Sequence, residues 1–170
     1  MKAYRAALLR FADDGSALYD SDGLLVTAAN VAGRETVVAA GPFQSLQASY
    51  AQVPTEHLPG RILAPGFVDL HIHFPQVDVI GAPAAGLLPL LENYTFPQEK
   101  RFFRQDHAEE VASFFVAELL RNGVTTPLTF ATSHPTSVNA LFTSAKKQNL
   151  RLITGKVLQD SHSPDGVRDE

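Results

Sequence analysis

The chain has 170 residues, 45% hydrophobic and 19% charged, the balance of an ordinary globular protein with material for one core and a small second lobe. Lys plus Arg number 14 against 18 Asp plus Glu, a net charge of -4, and no basic cluster interleaves with aromatics, which argues against a nucleic-acid partner. Cysteine is absent, and with it disulfides, zinc-cysteine motifs and thiol catalysis.

At the N-terminus, Met1 to Arg10 contain no uninterrupted apolar run of the secretory type. No later segment approaches the ~20 apolar residues of a membrane span. The expectation is a cytoplasmic protein with no membrane partner. Residues 1–62 alternate short apolar groups with the turn-prone runs Asp13-Asp14-Gly15-Ser16, Asp20-Ser21-Asp22-Gly23 and Gly41-Pro42. This pattern predicts a small β lobe, with one strand over 33–41 and a short helix within 45–52.

The next run, Pro65-Gly66-Phe67-Val68-Asp69-Leu70-His71-Ile72-His73, reads as a strand ending in two imidazoles. A period of two places residues 67, 69, 71 and 73 on one side, with the two histidines about 7 Å apart at Cα. Both rings can then converge on one ion, and neutral imidazole is the commonest zinc ligand. A catalytic zinc takes three protein ligands and keeps one position for water, so the pair is part of a site. A bare hydrogen-bonded pair of histidines is the alternative; the Pro-Gly turn, the apolar strand and Asp69 favour metal.

Residues 74–106 carry Gly81, Pro83, Gly86, Pro89 and Pro97 among many apolar positions, and read as a long irregular segment covering a site. From Asp106, the spacing Val111, Phe115, Leu119 and Ala112, Val116, Leu120 predicts a helix. Asp106 and Glu109 form a cap at its start, and Asn122-Gly123 stops it. A strand follows over 124–130, with Pro127 as its weak point. Pro135 opens a second helix with the stripe Val138, Leu141, Phe142 and Ala145 and with Lys146-Lys147 at its end. A third strand spans 150–158. His134 either faces the site or merely opens the second helix.

Strand, helix, strand, helix, strand implies parallel pairing through right-handed crossovers. Open doubly wound sheets and (β/α)8 barrels both begin this way, and catalytic groups at a strand's C-terminal end favour the barrel. A barrel typically needs about 250 residues. The fold class expected is therefore α/β: a small β lobe over 1–62, then the first βα units of a metal-dependent (β/α)8 barrel over 63–170, incomplete as given.

These residues resemble the amidohydrolase superfamily, whose members open their metal barrel with Pro-Gly-Phe-Val-Asp-x-His-x-His after a small β-sandwich. Over about residues 60–165, the blocks His71-Ile72-His73-Phe74-Pro75-Gln76, Tyr94-Thr95-Phe96-Pro97, Leu119 to Thr126 and Gly155-Lys156-Val157 are similar to the guanine deaminase branch. The resemblance implies His71 and His73 as zinc ligands, one zinc per complete subunit, and a purine substrate met by Gln76 and His73. An amide offers the acceptor and donors that a purine edge requires. Asp69, on the same strand face, braces the site through hydrogen bonds rather than ligating. The implied reaction is guanine plus water to xanthine plus ammonia, and the full-length protein could form a homodimer.

The chain departs from that pattern at Leu87-Leu88-Pro89-Leu90-Leu91, where the branch carries an aromatic residue. The later metal ligands and the acid-base glutamate are expected beyond Glu170, leaving no catalytic residue here and an inactive isolated chain. Two alternatives stay open: a hydantoinase or dihydroorotase type using Lys156 between two metals, and a truncated, non-catalytic β/α protein.

Overall fold

The computed structural model describes residues 1–169 as two compact units, Met1–Pro65 and Gly66–Glu170. In the first, β1 (Lys2–Phe11), β2 (Ala17–Ala29), β3 (Glu35–Pro42) and β4 (Thr55–Leu63) form one sheet in the order β3-β2-β1-β4. β1 is antiparallel to β2 and parallel to β4. A single turn, α1 (Phe43–Leu46), brings Phe43 and Leu46 against a buried cluster of Ala3, Leu24 and Val26. The predicted turn at Asp13-Asp14-Gly15-Ser16 is the β1–β2 hairpin, with Gly15 at φ 83.

One expectation fails in this unit. Asp20-Ser21-Asp22-Gly23 is no turn; β2 runs through it. The aspartates instead pair across the strands, Asp22 with Arg5 at 2.7 Å and Asp20 with Arg10 at 2.8 Å. Gly23 lies against Leu8, whose Cγ would be 2.4 Å from any added Cβ. The described residues of this unit form one four-stranded mixed sheet.

The second unit is α/β. Strands β5 (Phe67–His73), β6 (Val124–Phe130) and β7 (Ile153–Gly155) pair in parallel in that order. The sheet is open, not a closed barrel. Large apolar side chains on its outer strands, Phe67, Val68, Leu70 and Ile153, are exposed. Helix α4 (Gln105–Arg121) crosses from β5 to β6, and α5 (Pro135–Lys147) crosses from β6 to β7. Val111, Ala112, Phe115, Val116 and Leu119 of α4 meet Ala140, Leu141 and Ala145 of α5 in one buried core.

The segment expected to be irregular is instead a chain of short helical turns. These are a 3-10 turn at Phe74–Val79, α2 (Leu87–Leu90), a π turn at Leu91–Thr95, α3 (Phe96–Glu99) and a 3-10 turn at Lys100–Phe103. Fully buried Phe74 and Phe102 clamp its two ends together, edge to face at 5.0 Å, and Phe74 also meets Phe115 at 5.6 Å. The expected cap of α4 is corrected as well. Arg104 holds the cap position, and Asp106, one residue into the helix, pairs with the Arg104 guanidinium.

Pro127 does not demote β6, which is the central strand. Asp69 pairs with Pro127 and Ile72 with Thr129, so β5 carries one extra residue beside the position that cannot donate. The third strand is shorter than predicted. Asn149 takes φ 55 and the Leu150 N–H bonds the Ala145 carbonyl, so the start of that run terminates α5 instead of pairing. Among the described residues, no helix is long and apolar enough to cross a membrane.

Candidate metal centre

His71 and His73 close β5, where the strand delivers both rings to one side. Their Nε2 atoms are 3.1 Å apart and their ring centroids 5.0 Å apart. Two lone pairs aimed at each other repel unless a proton or a cation lies between them. At Zn–N distances of about 2.0–2.1 Å, a tetrahedral ion requires its ligand nitrogens about 3.3–3.4 Å apart. The observed pair fits that donor set to within a few tenths of an ångström. Burial, and secondarily the neighbouring His71, holds the His73 imidazole below its ordinary range, which favours the neutral ligating form.

The bulge in β5 explains Asp69. One extra residue interrupts the ladder between Asp69 and Ile72, and Asp69 Oδ1 accepts the His71 N–H at 3.0 Å. The carboxylate therefore braces the backbone beneath the first histidine, and no bond to either imidazole ring is present among the described residues. Gln76, one residue past Pro75 in the 3-10 turn, is half-buried. It lines a cavity of about 560 Å3 together with His71, His73, Ile80, Phe114 and Glu118. Three of the four predicted site residues, His71, His73 and Gln76, thus share one cavity.

His134 lies apart from them. It holds the cap position of α5, and its Nδ1 lies 3.2 Å from the Thr132 hydroxyl. Burial is the main cause that lowers its pKa; a bond to the Gly166 backbone opposes this, and Lys156 adds to it. It is tied into the helix start. Lys156, the residue of the two-metal alternative, follows β7 and is ion-paired with Asp169. It lines a different cavity from the one that His71 and His73 share. Leu90, where the resemblance led to an aromatic wall, is half-buried at the end of α2 and does not line the cavity.

Two groups escaped sequence reasoning. Phe130, at the end of β6 opposite His73, packs on both imidazoles. Its only sequence signal is its place as the last residue of the neighbouring strand. Glu99 ends α3, and burial pushes its carboxyl up to about 7. It does not line the cavity with the histidines, although its position two residues after Tyr94-Thr95-Phe96-Pro97 could have drawn notice. Among the described residues no group of three or more His, Cys, Asp or Glu side chains is placed to hold a metal, so the two imidazoles are a partial ligand set.

Residues 62–169 match the sequence profile of the Amidohydrolase family. Guanine deaminase of Escherichia coli (strain K12) is 48% identical over 110 residues, 65% of this chain and 25% of that protein. A solved structure of E. coli guanine deaminase superposes with a TM-score of 0.88 at 36% identity, covering 100% of this chain and 40% of the other. Guanine deaminase from C. acetobutylicum, solved with guanine bound in the active site, gives 0.86 at 28% identity, with 99% and 39% covered. The chain thus spans between a quarter and two-fifths of the length of these relatives. The profile match extends over well over half of the chain and takes in the histidine strand, both crossover helices and all three parallel strands: the chain belongs to the amidohydrolase family.

Proposed function

We propose that this chain is the N-terminal part of a zinc-dependent guanine deaminase, which converts guanine and water to xanthine and ammonia. The observation that carries the proposal is the 3.1 Å approach of the His71 and His73 Nε2 atoms beside Gln76, on a segment similar in sequence and structure to guanine deaminases. The similarity of the first unit and of the 74–103 turns to the same structures adds support, since those parts lie outside the histidine motif.

His71 and His73 would hold the zinc through Nε2 as neutral imidazoles, and Asp69 fixes the backbone of the first. Zinc, when bound, supplies a Lewis acid that activates water near neutral pH. Gln76 presents a carbonyl acceptor and an amide donor to the mixed edge of guanine, beside His73. In the overall reaction water adds at the carbon bearing the amino group. The exocyclic C–N bond breaks, and a proton is delivered to nitrogen so that ammonia, not an amide ion, departs. The carboxyl group for that transfer and the remaining metal ligands have no counterpart among the described residues. The 170-residue chain alone is therefore inactive in this proposal. A cytoplasmic location and a homodimer of the full-length protein belong to the same proposal.

Incubating the native protein with guanine tests it: xanthine and ammonia should appear in equal amounts and stop on chelation. Hydrolysis of a dihydropyrimidine ring with no action on guanine would instead favour the hydantoinase or dihydroorotase type.

A further inference from the structure

We infer that Phe130 is the residue that positions the two metal-ligating imidazoles, an assignment that rests on the zinc site proposed above. Its ring lies over His73 at 4.8 Å between centroids and 15° between planes, and meets His71 at 5.0 Å and 50°. One phenyl ring therefore touches both imidazoles.

The strand register produces this contact. Phe130 is the last residue of β6 and pairs directly with His73, the last residue of β5. On its other side it pairs with Gly155 of β7, where an added Cβ would meet nothing within 4 Å. The aromatic contacts of Phe130 therefore run to the histidines alone among the described residues. A metal-bound imidazole is normally locked by a hydrogen bond from its second nitrogen to a carboxylate, a carbonyl or water. Here neither the His71 nor the His73 Nδ1 has a hydrogen-bond partner among the described residues, and Asp69 is engaged with the His71 backbone. Stacking on Phe130 acts on both rings at once. It restricts both rings to the orientation in which the Nε2 atoms converge, so less rotamer freedom is lost when the metal binds.

The test is zinc affinity of the native protein, measured by competition with a chromophoric chelator. Phe130→Leu should weaken zinc binding by about tenfold or more, the range seen for groups that orient metal ligands, while Phe130→Tyr should stay within about threefold. The cobalt(II)-substituted absorption spectrum should change in Phe130→Leu and not in Phe130→Tyr. A lower unfolding midpoint in Phe130→Leu with zinc affinity unchanged would make the residue merely structural and overturn the inference. If Phe130→Leu does not fold, proton NMR of the metal-free wild type decides. Stacked beneath Phe130, the His73 ring protons should lie upfield of those of exposed His57, and unshifted protons overturn the inference. A wild-type protein that binds no zinc refutes the metal site itself; one that binds zinc and is indifferent to Phe130→Leu refutes only the role of Phe130.

Discussion

Gly66 precedes the histidine strand by one residue, and its lack of a side chain lets β5 start against β6. A Cβ at this position would lie 2.1 Å from Thr125 Oγ1, 2.2 Å from Thr125 Cγ2 and 2.7 Å from Thr125 Cβ. Thr125 is β-branched and stiff about χ1, so it cannot swing clear as a long side chain would. Gly66→Ala must therefore shift the start of β5, at a cost of about 3 kcal/mol, the upper part of the usual overpacking range. Thr125→Ala removes the two nearest atoms and leaves the third, so in that background the cost of Gly66→Ala should fall to about half. Gly155→Ala is the control. It lies in the same sheet, has nothing within 4 Å of the new methyl, and should be neutral or stabilising by about 0.5 kcal/mol. Denaturant unfolding of the four variants reads these differences as midpoints at constant slope. Equal midpoints for Gly66→Ala and Gly155→Ala would refute the close approach of the two strands.

Burial raises the Glu99 carboxyl from 4.5 to about 7, so between those values the folded state binds the proton and the unfolded state does not. Stability should thus fall as pH rises from about 4.5 to about 7, by at most about 3.4 kcal/mol at 1.36 kcal/mol per pH unit. Because the group is half-buried, solvent screening reduces this to about 1–2 kcal/mol. Glu99→Gln should abolish that slope, and an unchanged pH profile of unfolding would count against it. Gln76→Ala should raise the KM for guanine by about tenfold with zinc content unchanged, since in the proposed site it removes a substrate hydrogen bond and no metal ligand; steady-state kinetics beside metal analysis separate the two. Asp69→Ala should weaken zinc binding while Asp69→Asn, which keeps an acceptor for the His71 N–H, restores most of it. Equal loss in both variants would mean that the carboxylate charge matters rather than the bond.

The parallel α/β order and the meeting of His71 with His73 were legible because they depend on local period. Alternation along a strand brings residues two apart to one side, and a spacing of three and four makes the faces of α4 and α5. What escaped depends on partners distant in the sequence. Asp20-Ser21-Asp22-Gly23 has turn composition, yet Arg5 and Arg10 on the facing strand recruit both aspartates and keep β2 extended. Pro127 weakens a strand taken alone, but a bulge on β5 absorbs the missing donor and leaves the His71 N–H for Asp69. The turns between Phe74 and Phe103 carry no period of their own; burial of Phe74 against Phe102 and Phe115 sets them. Phe130 meets the histidines only through the β5–β6 register, which no single strand reveals.

The most direct test of the central claim is the zinc content of the native protein beside His71→Ala and His73→Ala, each purified in parallel and checked for folding. One zinc per chain in the wild type and little in either variant is the result expected of imidazoles 3.1 Å apart that share one ion. Full zinc occupancy in both variants would contradict the site, and two metals per chain in the wild type would move the chain to the two-metal branch of its family.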